Sequence, residues 1–192
     1  MPAAHLAALL ASAATALAAP PGVPATTIIR GAAIVDVERG VLIHDRDILI
    51  EDDRIVRLIA RDTPLTDADR HEIDAQGLFV IPGLFDAHVH LAASMDTDPK
   101  LMIAHGVTSA RDLGAPTQPI IDLRNSTASG ERLGPDLIVT GAIIDGDPPV
   151  WPFSEACDTP EAGRAAVRRL HEAGVDMIKV YSRLKKDVYE AV

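Results

Sequence analysis

The sequence predicts an α/β protein: the first half of a (β/α)8 TIM barrel preceded by a small β-rich portion. Three observations lead there. Residues 26 to 81 hold short β-branched runs broken by Gly and Asp. From about residue 83 strands and helices alternate, the pattern of a parallel sheet built from right-handed crossovers. The stretch from Gly83 onward has room for about three and a half βα units at roughly 31 residues each, under half of the eight that close a barrel.

Taken in order, residues 1–18 stand apart from the fold. They carry no charged side chain other than His5, run Ala/Leu-rich from Leu6 to Leu17, and end in the small-x-small pattern Ala16-Leu17-Ala18 before Pro20 and Pro21. They read as a signal peptide, which predicts a periplasmic or secreted protein; no Lys or Arg follows Met1, and an unprocessed Ala-rich extension is the alternative. The apolar run is too short to span a membrane comfortably.

Residues 19–81 form the β-rich portion. Thr27–Arg30 and Ala33–Val37 flank Gly31, and Asp47–Glu51 and Arg54–Ile59 flank the turn pair Asp52-Asp53, as in a small antiparallel sheet with a structural role. Residues 82–192 form the barrel portion. The run Leu78–Ile81 meets Pro82-Gly83 and continues as a strand through His90. A helix is expected over 98–105, a strand over 107–112, a helix over 118–128 and a strand over 137–144. Thr159-Pro160-Glu161 opens a third helix with an N-cap, a first-turn proline and an acid on the positive end of the dipole, and Gly174 stops it. A strand over 175–181 follows. Residues 185–192 read as a new helix without a stop signal, so the sequence is expected to be a fragment.

Composition narrows the function. Eighteen basic against 28 acidic residues give a net charge of -10, which disfavours nucleic acid as a partner. The lone Cys157 rules out an intrachain disulfide framework and a multi-cysteine zinc cluster, and reads as a buried or idle thiol. The acidic runs read as solvated faces. His44, His71, His105 and His171 lack paired spacing and read as surface or packing residues.

Two clusters carry chemistry. His88 and His90 are two apart on a strand, so both imidazoles leave one face, with Leu84 and Asp86 as parity partners. Phe85, Ala87, Val89 and Leu91 supply the apolar face expected under helices. The histidines then point inward near the C-terminal end of the strand, where barrel enzymes place their chemistry, and could chelate a metal of the zinc type. A solvated or packing pair is the alternative. On the strand 175–181, Ile178 and Val180 suit the helix side, which leaves Lys179 and Tyr181 inward. A buried amine loses its charge readily and could form a carbamate with carbon dioxide, turning a misplaced cation into a carboxylate-like ligand. A lysine snorkelling from the barrel mouth is the alternative. For Arg111 and Asp112, on opposite faces of one strand, a scaffold ion pair elsewhere is preferred over a substrate contact.

Val80–His90 resembles the opening of the amidohydrolase superfamily of metal-dependent hydrolases. Gly106–Gly114 resembles its second-strand segment and Asp176–Tyr181 the fourth-strand segment of its binuclear members. The likeness is closest to the branch with imidazolonepropionase-like proteins and Xaa-Pro dipeptidases, and spans about residues 27 to 192. The resemblance implies that His88 and His90 bind the more buried metal and that carboxylated Lys179 bridges two divalent ions, two Zn2+ in the full-length parent. It implies two further histidines and a general-base aspartate beyond residue 192, and makes residues 19–81 an incomplete β-sandwich finished by C-terminal strands. Tyr181 would contact the substrate or its developing oxyanion, or simply line the barrel. The implied activity is hydrolysis of carbon–nitrogen bonds in a small-molecule amide, cyclic amide or dipeptide by metal-activated water. An ester or a deamination target is a second enzyme reading. The fragment alone would be inactive, and a non-catalytic metal-binding or scaffold half-barrel is the alternative. Assembly into a homo-oligomer is left open.

Overall fold

The computed structural model describes residues 26–65 and 70–192. The expected leader, residues 1–18, lies outside the described residues. The chain divides into two compact units that meet between Pro82 and Gly83.

Among the described residues the first unit has seven strands: β1 (Thr26–Arg30), β2 (Ala33–Asp36), β3 (Val41–Ile43), β4 (Arg46–Glu51), β5 (Arg54–Ala60), β6 (Arg70–Asp74) and β7 (Phe79–Val80). The single antiparallel sheet expected here is instead two mixed sheets, ordered β5-β4-β1-β6 and β3-β2-β7. The hairpins are antiparallel as expected, but β6 runs parallel to β1 and β7 parallel to β2. The returning chain thus adds one parallel strand to each sheet, a pairing that local turn signals do not encode. Asp52 takes the left-handed conformation (φ 55°) that the β4–β5 turn requires. Ile28, Ile48, Leu49 and Ile59 are the unit's large buried apolar side chains among the described residues.

Charge ties the longer sheet together. Buried Asp47 accepts from the Arg30 guanidinium (2.9 Å) and from the backbone N–H groups of Gly31 (3.0 Å) and Asp62 (3.1 Å). Arg30 also reaches Glu72 (3.0 Å), which accepts from Arg70 as well (2.7 Å). The hydrogen bonds from Arg30, then Arg70, hold the Glu72 carboxyl down at about 2.

The second unit holds β8 (Leu84–Val89), α1 (Asp98–Ala104), β9 (Val107–Asp112), α2 (Thr117–Ala128), β10 (Asp136–Val139), β11 (Ile144–Asp145), β12 (Glu155–Ala156), α3 (Pro160–Ala173) and α4 (Lys186–Tyr189). Strands β8, β9 and β10 form a parallel sheet in the order β10-β9-β8. Leu91, Ala110, Ile120, Ile121, Leu123, Leu137 and Val139 pack into one core, which joins α2 to this sheet. A second core gathers Ile144, Cys157, Ala166, Leu170 and Val188 around α3. Thr159 caps α3 by accepting from Ala162 N–H (3.2 Å), and Gly174 ends it at φ 90°.

Two expected strands are corrected. The strand 137–144 is interrupted after Val139, because Gly141 turns the chain at φ 65° and Ala142 N–H goes to the Thr117 hydroxyl (3.0 Å). The strand 175–181 shrinks to one parallel bridge, Val180 to Ile144. At its start Asp176 replaces a regular ladder: its N–H donates to Val139 O (2.9 Å) while its carboxylate accepts from Val139 N–H (2.8 Å) and Arg124 (3.0 Å).

Candidate metal centre

Strand β8 is delivered by Pro82-Gly83, and the glycine is required by contact rather than by φ. A Cβ at Gly83 would stand 2.0 Å from Thr108 Oγ1 and 2.8 Å from Thr108 Cβ, inside van der Waals range. Among the described residues β8 is the edge of its sheet, and Phe85 on the supposedly covered face is 52% exposed. The expected covered outer face is therefore reached further along, at Val89, which packs against the core, and at Leu91, which is buried.

The alternation along β8 is also broken. Asp86 lies opposite Ala110 but Val89 opposite Asp112, so β8 carries one extra residue here. The bulge is tied by His88 N–H donating to Asp86 Oδ1 (3.1 Å). Strict alternation does not hold across it: Asp86, Val89 and His90 all line one cleft of about 440 Å³ beneath α1, with Leu101, Met102 and His105.

His88, in β8, and His90, just beyond it, still converge. Their Nε2 atoms lie 3.2 Å apart, the rings meeting edge-on with centroids 5.1 Å apart. Two imidazole nitrogens bound to one tetrahedral zinc at 2.0–2.1 Å would stand roughly 3.3 Å apart, so this spacing fits a shared divalent ion. Both residues are exposed among the described residues. Beyond the pair, no group of three or more His, Cys, Asp or Glu residues is gathered for a metal among the described residues.

Lys179 and Tyr181 flank the bridge to β11. Ile144 N–H donates to Lys179 O (2.9 Å) and Tyr181 N–H donates to Ile144 O (2.9 Å). Val180 is thus the residue paired with Ile144, whose side chain belongs to the α3 core, and strand alternation sets Lys179 and Tyr181 on the other side. Both are half-buried.

Among the described residues Arg111 and Asp112 form no ion pair; both side chains instead serve backbone groups. Arg111 Nε donates to Ala87 O (2.8 Å). Fully buried Asp112 accepts from Leu91 N–H (2.7 Å) and Gly114 N–H (3.0 Å). Asp145, equally buried, accepts from Gly146, Val150 and Arg183 N–H groups at 2.9 Å each. Sequence reasoning gave Asp112 an ion pair and passed over Asp145; the available signal was a glycine one or two residues later, the mark of an Asx-type turn. Cys157 is buried, and desolvation pushes its thiol up.

The fold and the strand-end histidine pair define a class, α/β proteins with a strand-borne His-x-His motif, and comparison with known proteins sharpens it. No family model matches the chain. A stretch of 90 residues, 45% of this chain, is 36% identical to an adenine deaminase of Brucella abortus (strain 2308) and covers 14% of that protein. An adenine deaminase of Desulfatibacillum aliphaticivorans is 33% identical over a stretch of the same length. Among solved structures, a provisionally named prolidase from Bifidobacterium longum superposes with a TM-score of 0.76 at 27% identity, over 85% of this chain and 42% of its own. A structure named as an amidohydrolase gives a TM-score of 0.65 at 27% identity, over 81% of this chain and 46% of its own. A Xaa-Pro dipeptidase gives 0.69 at 20% identity, a likeness of fold. The chain is similar to proteins of the amidohydrolase superfamily. It spans about half the length of these solved structures. The names deaminase and dipeptidase both denote cleavage of a carbon–nitrogen bond.

Proposed function

We propose that this chain supplies the first-ligand portion of a metal-dependent hydrolase of carbon–nitrogen bonds, acting on an amide, cyclic amide or dipeptide. The observation that supports it best is the 3.2 Å separation of the His88 and His90 Nε2 atoms. In this reading the parallel strands β8, β9 and β10, followed by the 175–181 segment, are the start of a TIM barrel. The first unit is an incomplete β-sandwich, and residues 1–18 direct export to the periplasm or beyond. The prolidase and dipeptidase neighbours cover most of the chain, which weights a dipeptide substrate over a nucleobase.

The residues divide the work. His88 and His90 would hold one divalent ion of the zinc type, and Lys179, as a carbamate, would supply an anionic oxygen ligand. When bound, such ions lower the pKa of a water and polarise a carbonyl. The Tyr181 hydroxyl, on the side of its segment that Lys179 also occupies, donates to the substrate oxygen as charge develops. Such a centre would need further ligands and a general-base aspartate, which the described residues do not gather beside the pair. One observation favours a second reading for the chain alone, a non-catalytic metal-binding or scaffold half-barrel: the pair gains no third His, Cys, Asp or Glu among the described residues.

Zinc titration of the metal-stripped chain tests the proposal. One equivalent is expected to bind, with no measurable hydrolysis of dipeptides. His88→Ala and His90→Ala should each weaken binding by more than the ~10-fold to 100-fold typical of outer-shell losses. Unchanged zinc affinity in both variants would remove the basis of the metal reading.

A further inference from the structure

We infer that the loop between β11 and β12 is a specificity wall of the proposed site, with Trp151 receiving an aromatic or bulky apolar side chain beside the substrate's scissile bond. Of the seven residues Asp147-Pro148-Pro149-Val150-Trp151-Pro152-Phe153, six are apolar. Three of the six are prolines, which stiffen the loop. Yet the loop does not bury its large side chains: Trp151 is 44% exposed and Val150 40%. Phe153 backs the indole, the two rings lying within 15° of parallel at 6.2 Å between centroids. A stiff loop that holds large apolar groups in solvent has the form of a recognition element.

Contacts at both ends fix where this wall stands. At one end is Gly114, just past the end of β9, whose carbonyl oxygen lies 3.4 Å from His90 Nδ1. A Cβ at Gly114 would stand 2.5 Å from Ile143 Cδ1 and 3.5 Å from Phe153 Cε2, so the missing side chain lets the aromatic pair close on the turn beside His90. At the other end the Arg183 guanidinium donates to Pro148 O (2.5 Å), while Asp145 accepts from both Val150 N–H and Arg183 N–H (2.9 Å each). The loop is thereby tied to the segment that carries Lys179 and Tyr181. It follows the C-terminal end of β11, the end of parallel strands where barrel enzymes bind substrate. Apart from Asp147 and the indole N–H, its side chains offer no polar group to meet the ring nitrogens of a nucleobase. A hydrocarbon side chain on a dipeptide needs no such partner.

This inference rests on the metal reading of His88 and His90 for the place of the reacting bond, and the test keeps the two apart. A zinc held by two imidazoles leaves two positions of its tetrahedron open, which suits the two oxygens of an amino-acid hydroxamate. The zinc-loaded full chain is titrated with the hydroxamates of phenylalanine, glycine and aspartate, and the single indole N–H signal of Trp151 is followed by nitrogen-15 NMR. The phenylalanine probe is expected to shift that signal and to bind about 2-fold to 10-fold more tightly than the glycine probe. The aspartate probe should gain nothing over glycine. Trp151→Ala should bring the phenylalanine-to-glycine ratio close to one with zinc affinity unchanged, and Phe153→Leu, which keeps an apolar group against Gly114, should lower it in part. Equal binding of the phenylalanine and glycine probes, an aspartate probe as tight as phenylalanine, or a ratio kept in Trp151→Ala overturns the assignment. So does a Trp151 signal that adenine shifts and Gly-Phe leaves unmoved in the metal-free chain. If zinc does not bind, the metal reading falls and the metal-free chain decides for the wall. A Trp151 shift with Gly-Phe and none with Gly-Gly then upholds an apolar side-chain site, and no shift with either overturns it.

Discussion

Replacing Asp145 measures how firmly a single carboxylate holds the loops at the ends of β11 and the 175–181 segment. Its Oδ1 accepts from Gly146 and Arg183 N–H, and its Oδ2 from Val150 N–H. A hydrogen bond to a charged group contributes about 1.5–3 kcal/mol. The Gly146 bond is buried, whereas those to Val150 and Arg183 are partly solvated, so water recovers a share when they are lost. One full and two halved contributions give roughly 3–6 kcal/mol for Asp145→Ala. That is a large part of the ~5–15 kcal/mol that ordinarily keeps a domain folded. Asp145→Asn keeps the Oδ1 bonds and points its amide at Val150 N–H, so it should cost about 1–3 kcal/mol, localised to residues 147–153. Trp151, the chain's one tryptophan, lies in that loop with its ring stacked on Phe153 at 6.2 Å, and its fluorescence reports there directly. Urea unfolding followed by Trp151 emission, with amide exchange at Val150 and Arg183, gives the comparison. Equal losses in the two variants, or none above about 0.5 kcal/mol, would refute the reasoning.

Two further outcomes follow from the same geometry. The Glu72 carboxyl, ordinarily at 4.5, is depressed to about 2, so its contribution to folding is complete above pH 4.5 and is lost as pH falls towards 2. A carbon-13 titration should find the low midpoint, and Arg30→Gln should raise it more than Arg70→Gln, because Arg30 is the larger cause. Gly83→Ala should destabilise by about 1–3 kcal/mol through the clash with Thr108, and pairing it with Thr108→Gly should recover most of that loss in urea unfolding.

Much of this architecture was legible in the sequence because it is written in local chemistry. Thr159, Pro160 and Gly174 mark both ends of α3 by mechanisms that act within one turn. The alternation of strands and helices after Gly83 yields the parallel β8–β9–β10 order. What escaped is what depends on distant partners. Strands β6 and β7 join their sheets in parallel because of residues at least 40 positions away, and no local pattern announces that. The bulge in β8 has the same character: periodicity assumes strict alternation, and the extra residue between Asp86 and Val89 breaks it. The histidine pair survives that irregularity although His88 lies within it, since the two Nε2 atoms still stand 3.2 Å apart.

The aspartates show why a charged residue is hard to place from sequence alone. A carboxylate reads as solvated unless a basic partner is in view, yet Asp112 and Asp145 are fully buried with none among the described residues. Each is stabilised by backbone N–H groups that a turn leaves without a ladder partner, which is how an anion can be held in a low-dielectric setting. Both stand at strand ends, Asp112 closing β9 and Asp145 closing β11. There the sheet's hydrogen bonding stops while the loops still need anchoring. A glycine following the strand-end aspartate supplies the tight turn that brings the first donor into reach. The same device recurs at Asp47, where Gly31 and Asp62 N–H groups converge on one carboxylate together with Arg30. Loop geometry around the histidine pair is therefore set by buried acceptors outside the ligand motif, and changes there should reach His90 through the backbone without touching either imidazole.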